Sequence, residues 1–208
     1  MKIIVFGATG SVGMEIVKQA LKQGHEVTAF VRNPNKLQVE KSSNLQLFKG
    51  DIANAESVKK AVQNQEAVLC AIGDGKVGEI RDIGTKNIVE AMEKTNVKRL
   101  ICQTTLGMGD SYNNLNFIWK HIMFGFLLKK AFHDHKLQEQ HILNSDLNYT
   151  IVRPSAFTDG GITQNYKKGF DGSFKKLNLK ISRADVAYCM LEVLNKNKSI
   201  KEAISISN

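Results

Sequence analysis

The stretch "IIVFGATGSVG" at residues 3–13 decides the fold. Four apolar residues, typical of a buried strand, run directly into three glycines at positions 7, 10 and 13. In a strand–turn–helix unit the first glycine makes the sharp turn, and the second lets the backbone approach a pyrophosphate. The third lets the helix pack closely on the strand. The spacing therefore predicts a phosphate-binding turn between a first strand and a first helix.

The residues of this turn supply the donors that a phosphate needs. The helix that opens here has free main-chain amides in its first turn, at the positive end of the helix dipole. Hydroxyl side chains within the turn add further donors. We therefore expect a dinucleotide phosphate to be bound by Gly7, Thr9, Gly10, Ser11, Val12 and Gly13.

The end of the second predicted strand indicates which dinucleotide binds. NAD sites place an acidic residue there to accept from the ribose 2′-hydroxyl, whereas NADP sites use an arginine near the 2′-phosphate. The stretch "FVRNPNKL" has Arg32 at that point and Lys36 four residues later, and no Asp or Glu occurs between Val27 and Val39. These residues predict NADP (NADPH) as the cofactor.

Short apolar strands and amphipathic helices alternate along the whole chain. Continuous apolar runs such as "AVLCAIG" and "YTIVRP" predict strands buried on both faces. The predicted helices that separate and cover the strands lie near residues 11–23, 55–63, 82–95, 115–144 and 183–195. This alternation predicts a doubly wound parallel sheet, the α/β Rossmann fold. We expect one domain over residues 1–208, with residues 155–181 as a small C-terminal substrate-side loop region.

Composition and charge narrow the class of protein. The net charge is +9, but Lys and Arg are scattered along the chain, so a small anionic ligand fits the charge better than nucleic acid does. Three isolated cysteines and the lack of a signal-peptide pattern predict a cytoplasmic protein without disulfides. The five histidines and the scattered acids have no metal-ligand spacing, so we expect no metal.

One apolar segment, "FIWKHIMFGFLL" at residues 117–128, resembles a membrane helix at first sight. Its 12 residues contain Lys120 and His121, whereas a spanning helix needs about 20 apolar residues. We therefore expect no membrane partner, and interpret the segment as a buried helix or the wall of a site for a flat organic molecule. Ordinary core or a dimer face fits the same pattern.

Several motifs together resemble a known group, the atypical short-chain dehydrogenase/reductases, in particular the NmrA-like and biliverdin reductase B (flavin reductase)-like NAD(P)-binding proteins. The matching stretches are "GATGSVG", "VRNPNKL", "GDI", "CAIG", "QTTLGMGDS" and "EQHILNSDLNYTIVRPSAFTDG". They occur in the family's order and cover nearly the whole chain. The set is specific for this broad group and for no single activity.

The resemblance implies roles for residues that follow the predicted strands. Asp51 and Ile52 would lie beside the adenine, and Ala71, Ile72 and Gly73 under the ribose and phosphates. Thr104 and Thr105 would lie near the nicotinamide, which Pro154, Ser155, Ala156 and Phe157 would flank. Each residue also has an ordinary structural role as a turn, a strand former or a strand end.

The catalytic pair of the alcohol and ketone dehydrogenases is missing. Those enzymes use Tyr-x-x-x-Lys, in which the lysine lowers the tyrosine pKa for proton transfer. Counting back from Glu139 places His135 at the expected Lys and Ala131 at the expected Tyr, and no Tyr occurs between Tyr112 and Tyr149. Carbonyl reduction and sugar epimerisation are therefore disfavoured.

Reduction of a flavin or a quinone tolerates this loss, because positioning is most of the task. We therefore predict an NADPH-dependent reductase of a flat small-molecule acceptor. Thr105 and His135 are its candidate catalytic residues, and the cluster of His133, Asp134 and His135 supplies a proton near neutral pH. The alternative is an NmrA-like sensor, which binds NADP(H), turns over little and acts through a protein partner.

Overall fold

Strands and helices alternate in the computed structural model, which describes residues 1–208. The elements that carry the site are β1 (Lys2–Phe6), α1 (Ser11–Lys22), β2 (Glu26–Val31), β3 (Leu45–Lys49), α2 (Ala55–Val62), β4 (Ala67–Cys70), α3 (Ile80–Thr95) and β5 (Arg99–Gln103). After them come α4 (Lys129–Leu143), β6 (Asn148–Pro154), β7 (Ala156–Thr158), β8 (Lys167–Lys168), β9 (Lys180–Ser182), α5 (Arg183–Lys196) and β10 (Glu202–Ser207).

The main sheet confirms the predicted doubly wound topology. Its eight strands lie in the order β3-β2-β1-β4-β5-β6-β10-β8. All neighbours are parallel except β8, which pairs antiparallel with β10 at the edge. A second, two-stranded sheet joins β7 to β9 and was not predicted. The chain winds outward from β1 in both directions, which leaves a crevice at the carboxyl ends of β1 and β4 where such folds bind ligands.

Helices cover both faces of the sheet. Helices α1 and α5 pack together on one face, and α2, α3 and α4 pack in a row on the other. Each face has its own apolar core, one centred on Val5 and Leu69 and the other on Ile4 and Leu100. Alternate residues of the central strands point to opposite cores, which explains why these strands are apolar throughout.

The predicted long helix at residues 115–144 is in fact broken. A 3-10 helix spans Gly109–Asn114, a π-helix spans Ile118–Leu127, and α4 begins only at Lys129. The Leu128 amide donates to the Met123 carbonyl, the wide i to i+5 bond of a π-helix. Gly125 and the β-branched and aromatic residues around it have low α-helix propensity, which favours this break.

Candidate active site

Two of the three glycines in the first turn are required by packing. Gly7 has a φ of +81°, and a Cβ there would collide with the Ala71 carbonyl. A Cβ on Gly13 would collide with the Gly7 carbonyl, because α1 lies directly against the turn. These glycines therefore bring β1, β4 and α1 closer than any side chain allows.

The third glycine is explained differently. A Cβ on Gly10 would meet only the Gly7 carbonyl at 3.1 Å and the Ala71 carbonyl at the edge of contact. Gly10 is also the N-cap of α1, with no side-chain cap, and no acid lies in the first turn of that helix. The first amides of α1 therefore lack a side-chain acceptor, as in a helix that binds an anion at its N-terminus.

These features border a cavity of about 530 Å³, called here the glycine groove. Its lining comprises Gly7, Thr9, Gly10, Phe30, Arg32, Asn33, Lys36, Ile52, Ala71, Ile72, Gly73 and Ile80. The charged groups among them, Arg32 and Lys36, are both cationic. The groove thus joins an uncapped helix end to two positive side chains, which suits a ligand with phosphates.

Four residues predicted for the phosphate and adenine do not line the groove: Ser11, Val12, Gly13 and Asp51. The Val12 side chain is in the core, so Ser11, Val12 and Gly13 can offer only main-chain amides and the Ser11 hydroxyl. Asp51 lies at the surface, and its Oδ1 accepts the Ala53 amide at 2.9 Å. Its contact with an adenine remains a prediction.

A second cavity of about 370 Å³, called here the aromatic cavity, lies at the ends of β5 and β6. Trp119, Phe124 and Phe132 form one wall, with Leu115, Leu128 and Leu179 nearby. The structure brings together here the residues predicted beside the nicotinamide, Thr104, Thr105, Pro154, Ser155, Ala156 and Phe157, and the candidate catalytic residue His135. These residues come from three separate segments of the chain.

Arg81 connects the two cavities. Its side chain lines the aromatic cavity, and its Nη2 lies 2.8 Å from the position of a Cβ on Gly73, which lines the glycine groove. The guanidinium also pairs with Asp74 at 2.9 Å and Asp134 at 3.2 Å. Gly73 and Arg81 therefore lie where the two cavities approach each other.

His135 is buried and neutral. Its Nδ1 lies 2.9 Å from Gln138 Oε1, while Gln138 Nε2 donates to Thr85 and to Cys102 Sγ. This orientation of the amide requires Nδ1 to carry the imidazole proton. Burial, with help from the Arg81 charge, lowers the pKa of His135 to about 3.

The histidine cluster therefore does not supply a proton near neutral pH, and that expectation is wrong. His135 is neutral there, because its burial disfavours the charged imidazole. Asp134 accepts the main-chain amides of Arg81 and Asp82, so it serves the start of α3. His133 is exposed at the surface.

Thr104 is held by a buried ion pair that sequence reasoning missed. Its hydroxyl donates to Glu139 Oε1 at 2.7 Å. Arg153 donates to both oxygens of Glu139, at 3.0 and 2.7 Å, and to Asp110 at 2.9 Å. The sequence does contain one sign of this ion pair. Arg153 is the single charged residue in the apolar strand "YTIVRP", and a buried charge needs a partner.

Four buried polar atoms of residues that line the aromatic cavity lack a hydrogen-bond partner. They are Ser155 Oγ, Gln103 Oε1, Arg81 Nε and Arg183 Nε. Buried polar atoms are nearly always satisfied, so such orphans indicate a place for a ligand. Sequence analysis named Ser155 only. Thr105 is half-buried beside them, and its hydroxyl has one long bond, to the Leu106 carbonyl at 3.3 Å.

The structure has neither a cluster of metal ligands nor a helix able to span a membrane. No group of three or more His, Cys, Asp or Glu side chains is placed to hold a metal ion. No helix combines the length and apolarity needed to cross a bilayer.

Known proteins resemble this chain in sequence. A family described as NAD(P)H-binding matches residues 7–197. Protein TIC 62 of Pisum sativum is 32% identical over 181 residues, which are 73% of this chain and 32% of the relative. Photosystem II assembly factor Ycf39 of Guillardia theta is 28% identical over 218 residues, 99% of this chain and 64% of the relative. The chain thus spans less than two thirds of either relative.

The fold is shared with solved structures as well. ChuY, an anaerobillin reductase from Escherichia coli O157:H7, superposes with a TM-score of 0.82 at 24% identity, over 100% of this chain and 97% of ChuY. The match covers the whole of this chain and shows the shared Rossmann fold. The family model that matches residues 7–197 shows that the chain belongs to the NAD(P)H-binding family.

Proposed function

We propose that this protein is an NADPH-dependent reductase of a flat, conjugated small molecule such as a flavin, a quinone or a bilin. The observation that carries the proposal is the pairing of two cavities at one sheet edge, one lined by glycines and cations, the other by aromatic side chains. Arg81 lies against both. The acceptor would therefore lie next to the nicotinamide.

The glycine groove fits NADPH at each end. Gly10 leaves space for the pyrophosphate at the uncapped start of α1. Arg32 and Lys36 would bind the 2′-phosphate, which NAD lacks. With no carboxylate in the lining to accept from a free 2′-hydroxyl, the groove favours NADP over NAD.

The aromatic cavity fits a flat acceptor. The ring centroids of Phe124 and Phe132 lie 4.4 Å apart, and those of Trp119 and Phe124 lie 5.4 Å apart, so the wall is an aromatic cluster on which a planar molecule can stack. The unpartnered atoms of Ser155, Gln103 and Arg81 supply polar contacts for its oxygens or nitrogens. The fold shared with the anaerobillin reductase ChuY supports an acceptor of this class.

In the proposed reaction no protein side chain acts as the acid. NADPH, when bound, supplies a hydride. The acceptor also gains one proton, and Ala131 at the expected tyrosine position cannot provide it. The neutral His135 has its Nε2 lone pair free to accept from an N–H or O–H group and so to orient the acceptor. The proton itself comes from water.

Oxidation of NADPH with and without an acceptor tests this proposal. The absorbance of the reduced nicotinamide is followed with FMN, a simple quinone and a bilin in turn. We expect oxidation only when an acceptor is present, and a KM for NADPH about tenfold higher in Arg32→Glu. The matched control is Lys41→Glu, which makes the same charge change at an exposed residue outside the groove. No oxidation with any acceptor would contradict the proposal.

A second candidate is an NADP(H)-dependent regulatory protein. Ala131, where dehydrogenases have their tyrosine, favours it, because a sensor does not need the acid. Tight NADPH binding together with no oxidation, and a change in association with a protein partner, would distinguish this role. The Arg32→Glu variant should then lose the response to NADPH while the fold stays intact.

A further inference from the structure

The segment at residues 117–128 has two different faces. The inner face, formed by Trp119, Phe124 and Leu128, lines the aromatic cavity. The outer face is defined here as the exposed apolar side chains of Phe117, Ile118, Ile122, Phe126 and Leu127. Phe117 is 71% exposed and Phe126 is 80% exposed, so the interpretation as a buried helix does not hold for this side, whereas the inner face does line a cavity.

Such a surface needs an explanation. Single exposed apolar residues are common, but five within one short helix form a patch, and patches of this kind mark interaction sites. The helix is also a π-helix of 10 residues, a rare form that is frequently found at functional sites. Two aromatic residues lie at the most exposed points of the patch.

The charges around the outer face have a single sign. From Ser111 to His133 the chain has no Asp or Glu, whereas it has three lysines, Lys120, Lys129 and Lys130. Lys129 and Lys130 are exposed directly after the π-helix. Lys120 lies 5.1 Å from the centroid of the Tyr112 ring, which is itself partly exposed. A partner for this surface must be apolar in its interior and negative at its boundary.

An anionic lipid bilayer has both properties. Short helices with aromatic and aliphatic residues on one side and lysines at the boundary lie in the interface plane of a membrane. Juxtaposed lysines add electrostatic attraction to anionic headgroups. A stable protein interface uses roughly 20–30 residues on each side, more than one ten-residue helix offers.

From these observations we infer that the outer face docks the protein on the surface of an anionic membrane, with the helix lying in the headgroup region. The inner face of the same helix would then place the wall of the aromatic cavity next to the bilayer. The inference concerns surface contact only and is compatible with the absence of a spanning helix. It stands independently of the proposed NADPH chemistry.

Sedimentation with lipid vesicles tests the inference. The whole protein is mixed with vesicles of phosphatidylcholine and phosphatidylglycerol, and with vesicles of phosphatidylcholine alone. We expect binding to the anionic vesicles that weakens as salt rises, since salt screens exposed charges. The double variant Lys129→Glu/Lys130→Glu should bind roughly tenfold more weakly or worse.

The apolar part of the contact is tested with a matched pair of variants. Phe117→Ser/Phe126→Ser removes two side chains of the outer face and should abolish binding to vesicles. Leu143→Ser/Ile162→Ser removes two comparably exposed apolar side chains elsewhere and should bind like the unaltered protein. Urea unfolding of each variant shows that the fold is retained, so that a loss of binding is due to the surface.

The variant Phe126→Trp gives an independent readout, because it places an indole on the outer face, whereas Trp119 lies on the inner face. The emission of this variant should shift to shorter wavelength when anionic vesicles are added. Absence of binding to both kinds of vesicle would overturn the inference. So would binding that persists in Phe117→Ser/Phe126→Ser, or a dimer in solution that the same double variant dissociates.

Discussion

The glycine groove and the aromatic cavity lie side by side at one edge of the sheet, but they are built in different ways. The groove is shaped by main chain: Gly7, Gly10 and Gly13 lie within seven residues, and the strip at Ala71–Gly73 follows the neighbouring strand. The aromatic cavity is shaped by side chains from segments spread over residues 75–183. The glycine turn of the groove therefore depends on local geometry, and the aromatic cavity on tertiary packing.

This difference has a consequence for mutation. Changes in the groove should affect binding of NADPH with little loss of stability, except where a glycine is packed against main chain. Changes around the cavity should affect the stability of the fold as well, because its polar groups are part of a buried network.

The largest expected effect is on the buried ion pair beside the cavity. Glu139→Ala leaves the Arg153 guanidinium buried beside Asp110 alone, so the free energy of unfolding should fall by about 3–5 kcal/mol. Urea unfolding measures this. Glu90→Ala, which removes an exposed partner of Lys94, should change it by less than about 0.5 kcal/mol. Equal losses of unfolding free energy in the two variants would show that the buried ion pair stabilises the fold no more than an exposed one.

The second-largest expected effect distinguishes NADPH affinity, which depends on the groove, from the stability of the fold. Gly10→Val places a side chain where the pyrophosphate would lie, so the NADPH dissociation constant should rise about 100-fold, or about 2.7 kcal/mol. The backbone of Gly10 is extended, at φ −77° and ψ 163°, which valine can adopt, but the added Cβ would lie 3.1 Å from the Gly7 carbonyl, so stability should fall by about 1–2 kcal/mol.

Calorimetric titration with NADPH gives the affinity, and Gly161→Val is the control. A Cβ on Gly161 meets nothing within 4 Å, so this variant should bind NADPH normally. If Gly10→Val also bound normally, the groove would not be the phosphate site.

The third-largest expected effect is the dependence of folding stability on pH that His135 causes. The pKa of His135 is about 3 in the folded protein against 6.5 in the unfolded chain, so the unfolded chain binds more protons between these values. Stability should therefore be full above pH 6.5 and decrease as the pH falls toward 3, by about 2 kcal/mol at pH 5. His135→Gln should remove this part of the pH dependence.

The measurement is urea unfolding at several pH values. His133→Gln is the matched control, because His133 is the exposed histidine two residues away on the same helix. Its pH dependence should equal that of the unaltered protein. A His135→Gln profile that follows the unaltered protein would show that the imidazole is not buried in a neutral form.

The smallest expected effect concerns the choice of cofactor. Arg32→Glu should weaken NADPH binding by about tenfold, or about 1.4 kcal/mol, because an ionic contact with the 2′-phosphate is replaced by repulsion. NADH lacks that phosphate, so its affinity should change much less. Calorimetric titration with both nucleotides measures the ratio, and Lys41→Glu corrects for the change in net charge. An unchanged ratio would place the 2′-position away from Arg32.

The same contrast explains how much could be predicted from sequence. The turn at residues 7–13 and the helix after it depend on neighbours in the chain, so their positions were predicted nearly to the residue. The contact of Glu139 with Thr104 joins residues 35 apart, and sequence spacing does not reveal it. The neutral state of His135 depends on burial, which only the packed structure shows. The break at Leu128 likewise needed the wide hydrogen bond to Met123 to be seen.

Stereospecific isotope transfer tests the central claim most directly, namely that the two cavities form one site for hydride transfer. NADPH is prepared with deuterium at one or the other hydrogen on C4, and its oxidation by a flavin or quinone is followed without oxygen. A ring held with one face toward the aromatic cavity should give a primary isotope effect, and deuterium loss, for only one of the two labels. Equal isotope effects for both labels, or no acceptor-dependent oxidation at all, would contradict the claim.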